Sequence, residues 1–427
     1  MYVQCFTEIL SFLSENVQTH LSDDTVEVFF RLFTLLYADD TIVLAESAEE
    51  LQRALNAVNT YCVSWFLTVN TSKTKVIIFS RGKVRKFPQF MFGDKQIEVT
   101  DDYTYLGTLF NFNNKFSKAM SKQVNQASKA LFKLSCQCNR LDLPIDVQLE
   151  LYKVLVLPIL LYGSEVWGFE NLYQLESFQL KFLKRLLKVH KRTSNCMVYG
   201  ETGMFKLTKL VECKMLTFWA RIISGKESKI SCLLYKLQKV LYVNGTYEAP
   251  WLKKIKEIMD KSGMSYLWYT EGPVNVQYIK AAIDRKLSDI YEQEWVAEVN
   301  QNGHCKTYKL FKQRLVLEKY LTELQPNLRI HLTKFRCCNN KLPVVTGRYF
   351  NIEYNNRLCT LCNQGFLGDE SHYIFECTSL SRERVLFIKR NLRYGPNTLN
   401  LYKIFNANYS DLCRLAKFCN IIMKKHL

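Results

Sequence analysis

The run Leu35-Leu36-Tyr37-Ala38-Asp39-Asp40-Thr41-Ile42-Val43-Leu44-Ala45 constrains the fold of this chain more than any other. Leu32 to Tyr37 and Ile42 to Ala45 are apolar and β-branched and read as strands, with an acidic pair in the short gap between them. The pattern predicts a β-hairpin presenting two carboxylates at its tip. Carboxylates flanked by buried strands are costly unless compensated, and divalent cations are the usual compensation. Asp39 and Asp40 are therefore candidates to help hold the Mg²⁺ pair that flanks an in-line phosphoryl displacement. Aspartate is also a favoured turn residue, and the pair alone does not separate the two readings.

Charge narrows the partner. The 427 residues suggest roughly two to three domains, and the formal net charge of +18 points to a polyanion, nucleic acid ahead of an anionic membrane surface. With 24 Tyr and 27 Phe, bases have rings to stack on, although most of these rings belong to cores. The N-terminus lacks the basic start and long apolar stretch of a secretory signal. The longest apolar run, Val154 to Tyr162, is broken by Pro158 and too short to span a bilayer, so no membrane partner is expected. Fifteen cysteines without a signal argue for reduced thiols and metal binding over a disulfide framework. The expected setting is intracellular, in cytoplasm or nucleus.

Residues 1–112 read as α+β. Ser47-Ala48-Glu49-Glu50 has capping-box spacing, and Leu51, Leu55, Val58, Cys62 and Trp65 recur at helical intervals. A loop through Asn70 to Lys75 leads into Val76-Ile77-Ile78-Phe79, expected as a buried strand. Beyond Gly93-Asp94, Tyr103 to Phe110 suggests another hairpin. The fold class is thus a sheet with helices on one face.

From 113 to 230 the pattern turns helical and basic. Lys115 to Arg140 carries six basic residues and no acidic one, with Val124, Leu131 and Leu134 on an apolar stripe. A second helix is expected from Leu175 to Arg192. Leu175, Phe178, Phe182, Leu186 and Val189 form its buried stripe, and Lys181, Lys184, Arg185, Lys188 and Arg192 line another face. Such a face tracks a phosphate backbone with salt-dependent affinity, or is simply solvated. Residues 231–330 read as a helical connector, and Tyr242 to Asn302, with its Gly-Thr, Ala-Pro and Gly-Pro breaks, as a string of short helices.

In 331–427 the chemistry returns. Cys359-Thr360-Leu361-Cys362 is followed by His372 and Cys377. Three thiolates and an imidazole suit tetrahedral Zn²⁺, and four protein ligands make a closed, structural site. Gly365 and Gly368 lie where the loop must reverse. Cys337 and Cys338, being adjacent, read as packed thiols.

Taken in order, Tyr37-Ala38-Asp39-Asp40, the helix with Trp65, Leu67-Thr68-Val69-Asn70 to Lys73-Thr74-Lys75, and Tyr105-Leu106-Gly107 resemble the reverse transcriptases of non-LTR (LINE-type) retrotransposons. Tyr162-Gly163-Ser164-Glu165-Val166-Trp167 and the late Cys-Cys-His-Cys cluster resemble the C-terminal regions of those proteins. The resemblance implies an RNA-directed DNA polymerase acting on an RNA template, a DNA primer and nucleotides. It makes Tyr37 to Asp40 the metal-binding hairpin of a palm, and Lys73 or Lys75 a contact to the incoming nucleotide phosphate. Leu106-Gly107 would lie near the primer grip, and the basic helices after Lys115 would form the thumb.

The family also resembles itself in a further aspartate on an earlier palm strand, and only 36 residues precede Tyr37 here. Asp23 and Asp24 lie too close to the hairpin for that strand and read as turn or cap residues. The expectation is a chain that begins inside the palm, with an incomplete metal cage and poor polymerisation by itself. The competing expectation is a non-catalytic nucleic-acid-binding protein built from the thumb-like helices and the zinc module.

Overall fold

Strand register defines the first hairpin. Thr34–Tyr37 (β1) and Asp40–Val43 (β2) pair antiparallel with Tyr37 opposite Asp40, so residues 38 and 39 connect them. The second strand thus starts at Asp40, two residues earlier than the apolar run suggests, because a two-residue connection draws its flanking residues into the ladder. The computed structural model describes residues 34–37, 40–80, 88–226, 229–245, 248–270, 272–393 and 397–426. Asp23, Asp24, Asp39 and the expected strand start at Leu32 lie outside the described residues.

The chain divides into two compact units, one made of Met1–Lys122, Gly163–Glu170 and Met215–Lys280, the other of Gln123–Tyr162, Asn171–Lys214 and Ala281–Leu427. Both α and β elements are present, and helices predominate.

In the first unit, helix α1 (Ala48–Ser64) is started by Ser47, whose Oγ accepts the Glu50 N–H at 3.1 Å. Glu50 reaches back to the N–H of Glu46 at 3.1 Å, one residue beyond the expected reciprocal partner. α1 packs Leu55 and Cys62 against Val76, Phe90, Phe92 and Ile97 of a three-stranded sheet in the order β3 (Lys75–Val76), β5 (Lys95–Val99), β4 (Phe90–Phe92). β3 runs parallel to β5, and β4 antiparallel to it. The expected buried strand Val76 to Phe79 is shorter than its composition suggests. Only Lys75 and Val76 pair, and Phe79 is exposed. Gln52 of α1 donates to the Met91 carbonyl at 2.9 Å and accepts the Met91 N–H at 2.8 Å, occupying groups of β4 that the ladder leaves open.

Two tight hairpins follow. Phe92 opposes Lys95 across Gly93-Asp94, and Tyr105 opposes Thr108 across Leu106-Gly107, joining β6 (Asp102–Tyr105) to β7 (Thr108–Asn111). One continuous sheet was the expectation. The described strands form three small sheets, of two, three and two strands.

Helix α2 (Ser117–Arg140) matches the acid-free basic segment, with Leu131 and Leu134 buried. In the second unit, Tyr152–Val156 winds as a π-turn, with the Leu157 N–H bonding to the Tyr152 carbonyl. Pro158 explains it: proline has no N–H to give, and its ring clashes with a carbonyl one α-helical turn back. The expected string of short helices fails at Val276–Gln301, a single helix of 26 residues. Ile279, Ile283, Leu287, Tyr291, Trp295 and Val299 are all buried, and this four-residue spacing carries the helix past the breaks upstream.

Candidate functional site

Asp40 opens β2 and is exposed. The hydroxyl of Tyr105, the last residue of β6, is pushed up first by burial and then by the charge of Asp40. The acidic hairpin and the Tyr105-Leu106-Gly107 turn, 65 positions apart in the sequence, belong to the same compact unit. Leu106 (φ +44°) and Gly107 (φ +81°) both take the left-handed conformation that a two-residue type I′ hairpin needs. Leucine at such a position costs roughly 1–2 kcal/mol, a strain of the kind stored at functional turns.

The two candidate phosphate lysines differ. Lys75 Nζ pairs with Glu98 Oε2 at 2.6 Å across β3 and β5. Lys73 is exposed on a turn held by Asn70, whose Oδ1 accepts both the Ser72 hydroxyl at 2.7 Å and the Lys73 N–H at 3.2 Å. Lys73 is the better placed to meet a ligand.

The second basic helix is shorter than its sequence suggests. α3 spans Tyr173–Leu186 and ends in a Schellman motif, with the Val189 N–H on the Lys184 carbonyl and Lys188 at φ +56°. Lys181 and Arg185 remain one turn apart on the helix and exposed, while Lys188 and Arg192 are exposed beyond its end. Lys184 is half-buried and donates to the Lys191 carbonyl at 2.9 Å and Asn195 Oδ1 at 2.8 Å. Burial lowers its ammonium from the usual lysine range. Lys184 secures the loop, so the five cations do not form one helical stripe.

The cysteine–histidine cluster is assembled. The donor atoms of Cys359, Cys362, His372 and Cys377 all lie within 4.8 Å of one another. Tetrahedral Zn²⁺ with ordinary bond lengths requires sulfur–sulfur separations of about 3.8 Å and sulfur–nitrogen separations of about 3.6 Å. Cys359 and Cys377 sulfurs are 3.9 Å apart, and Cys362 Sγ lies 3.5 Å from His372 Nε2. The knuckle is shaped by the Cys359 N–H on the Phe366 carbonyl at 2.7 Å, with Gly365 at φ +76° in the reversal. Gly368 is needed for space, since a Cβ there would stand 2.7 Å from Pro343.

His372 sits in the short helix Glu370–Phe375, whose first turn is capped by Asp369 accepting the His372 N–H at 2.8 Å. Its other ring nitrogen, Nδ1, lies 3.4 Å from Glu376 Oε2, which turns Nε2 toward the sulfurs. Phe366 stacks on the ring at 5.4 Å. Burial acts to raise the Cys359 thiol, but the Tyr373 hydroxyl beside it and the N–H groups of Cys362 and Leu361 bring it down to about 6. Burial and the charge of Cys359 push Cys377 up to about 12. One thiol of the cluster is thus primed as a thiolate, the form a metal binds. Sequence reading missed Glu376, Tyr373 and Phe366. Their only signal is their spacing around His372 and Gly365.

Cys337 and Cys338 take no part in the cluster. Burial raises both thiols, and Cys338 Sγ lies 3.4 Å from Glu370 Oε1. Among the described residues, no helix is long and apolar enough to cross a membrane.

Comparison with known proteins agrees with the hairpin motifs. Residues 2–110 match the family described as reverse transcriptase (RNA-dependent DNA polymerase). The chain is 29% identical over 144 residues to a transposon-derived protein of Caenorhabditis elegans, covering 33% of this chain and 50% of that one. It is 25% identical over 160 residues to the RNA-directed DNA polymerase from mobile element jockey of Drosophila funebris, and 27% over 163 residues to that of Drosophila melanogaster. Each of these covers 35% of this chain and 17% of the relative, so the chain spans at most about half the length of the curated relatives it matches. No solved structure matches. The segment from residue 2 to residue 110, with its acidic hairpin and its Leu106-Gly107 turn, is similar to the reverse transcriptase family and to the RNA-directed DNA polymerases of mobile elements.

Proposed function

We propose that this chain serves RNA-directed DNA synthesis by a non-LTR retrotransposon, with Asp39 and Asp40 as its metal-bearing carboxylates. The observation that supports this reading is the acidic β1–β2 hairpin and the Leu106-Gly107 hairpin within a segment, residues 2–110, that matches the reverse transcriptase family. Both motifs lie within one compact unit. Bound Mg²⁺ supplies charge neutralisation at the attacking and leaving oxygens of phosphoryl transfer. The chain's own part is to hold that ion through Asp39 and Asp40, to pair the nucleotide phosphates with Lys73, and to support the primer end at Leu106-Gly107. Lys181, Arg185, Lys188 and Arg192 contact backbone phosphates of the template–primer, and Zn²⁺ on Cys359, Cys362, His372 and Cys377 fixes the C-terminal module. The test is primer extension on an RNA template with Mg²⁺ and labelled nucleotides, beside the Asp39→Ala, Asp40→Ala variant. Extension lost in the variant supports the reading, and extension equal in both overturns it. Metal analysis of the purified chain tests the second site, with one zinc per chain expected.

A further inference from the structure

Gly163-Ser164-Glu165-Val166-Trp167 lies far along the sequence from the Leu106-Gly107 hairpin, yet the segment Gly163–Glu170 returns to the unit that holds β6 and β7. Both halves of the segment are anchored there. The Glu165 carbonyl accepts Trp251 Nε1–H at 2.8 Å, and Glu170 Oε1 accepts the Phe116 N–H at 3.4 Å. Trp167 is wholly buried, and Phe116 meets Phe169 at 6.1 Å and Phe110 of β7 at 6.2 Å, edge-on to both. The first residue of the segment reaches the hairpin itself. Gly163 takes φ +70°, and a Cβ there would stand 3.3 Å from Thr108 Oγ1 and 3.2 Å from Trp167 Nε1. Thr108 opens β7 and pairs with Tyr105 across the ladder, so it flanks the Leu106-Gly107 turn directly. The other strand is held by α2, where Lys118 pairs with Asp102 at 2.6 Å and Lys122 donates to Thr104 Oγ1 at 2.8 Å. A two-stranded ribbon is only marginally stable by itself, so these outside contacts decide where its tip lies.

We propose that Gly163 is a positioning residue for the primer end: its bare Cα lets Thr108 seat against Gly163 and Trp167, and so sets the place of the Leu106-Gly107 turn. The inference rests on the reading of that turn as primer support. Glycine is called for twice at position 163, by the left-handed backbone and by the space beside Thr108. Only the second acts on the hairpin. The two are separable, because Thr108→Ala relieves the crowding from β7 and leaves the backbone conformation of residue 163 as it is.

The full chain is bound to an RNA template with a DNA primer whose last base is a fluorescent adenine analogue, beside a duplex carrying the analogue far upstream. Gly163→Ala is expected to lose most of the terminal-base response. With Mg²⁺ and nucleotides it should add the first nucleotide about tenfold or more slowly, in keeping with a reacting end misplaced by about 1 Å. Overall template–primer affinity and the upstream response should stay at the wild-type level. Gly163→Ala combined with Thr108→Ala should recover much of the terminal response. Thr108→Ile crowds the same contact from the other side without straining the backbone, and should lose the response as Gly163→Ala does. It carries the test if the Gly163 variant does not fold. A terminal response unchanged in Gly163→Ala or in Thr108→Ile overturns the proposal. So does a loss in Gly163→Ala that Thr108→Ala does not relieve, or one matched by an equal loss of overall affinity, because either describes general damage. If the wild-type chain gives no terminal response, the reading of Leu106-Gly107 as primer support fails, and the proposal fails with it.

Discussion

Arg336 closes a two-point hydrogen bond on Glu201, Nε to Oε2 at 2.9 Å and Nη2 to Oε1 at 3.0 Å, and neither side chain reaches solvent. Around the pair, Glu318 takes Nη2 at 3.1 Å, Lys312 pairs with Glu318, and Tyr320 donates to Glu201 Oε2 at 2.6 Å. Phe311, Tyr320 and Phe405 lie against the guanidinium, with ring centroids 4.7, 5.1 and 5.5 Å away. Two acids balance two bases in an aromatic box. Removing one partner strands a buried charge, so Glu201→Gln is expected to lower stability by about 3–5 kcal/mol. Urea denaturation reads the loss, and a midpoint unchanged from wild type would contradict it.

The same pair sets an acid limit. Burial acts to raise the Glu201 carboxyl, but the Arg336 guanidinium outweighs it and holds the group below its usual range. A carboxyl lowered by folding contributes stability that is fully present above its unfolded value of about 4.3. That stability is lost as pH falls from there through the folded value. The stability difference between wild type and Glu201→Gln should therefore be constant near neutrality and shrink below about pH 4. A difference that shrank between pH 8 and pH 6 instead would assign it to another group.

Phe66 ends α1 in a Schellman motif at φ +54°, with the Leu67 N–H on the Cys62 carbonyl at 2.8 Å. It is 96% exposed, so its ring contributes almost no burial. Glycine is the residue this position favours. Phe66→Gly is expected to stabilise the chain by about 0.5–1 kcal/mol, or a rise of a few degrees in melting temperature at most. A lower melting temperature would show that the ring is packed.

Lysines of the second basic segment should separate by role. Lys181→Ala and Arg185→Ala should each weaken template–primer binding and reduce the slope of log K against log salt by about 0.7–0.9. Lys184→Ala should leave that slope unchanged and lower thermal stability, because its ammonium holds the Lys191 and Asn195 loop. The same slope change in all three would restore the continuous basic stripe.

What the sequence revealed was local. Ser47 and Glu50 announce α1 because a cap is a contact between near neighbours, and Leu106-Gly107 announces its hairpin because the turn type is fixed by the residues within it. The C-x2-C knuckle with a later His and Cys likewise carries its own geometry. What stayed hidden depends on distant partners or on an uncommon backbone choice. Glu201 and Arg336 are 135 positions apart, and nothing local marks either as buried. α3 stops early because Lys188, not a glycine, takes the left-handed conformation. The helix Val276–Gln301 was hidden by the Gly-Thr, Ala-Pro and Gly-Pro breaks upstream of it, although its own apolar spacing is regular.

The central claim is that the acidic hairpin serves polymerisation. Primer extension by the purified chain on an RNA template, with Mg²⁺ and labelled nucleotides, tests it most directly beside Asp39→Ala, Asp40→Ala. The account predicts metal-dependent extension, however slow, that disappears in the variant while template–primer binding and folding persist. Extension at the same rate in the variant would contradict it, as would a folded wild-type chain that binds template–primer tightly and adds no nucleotide with any divalent metal.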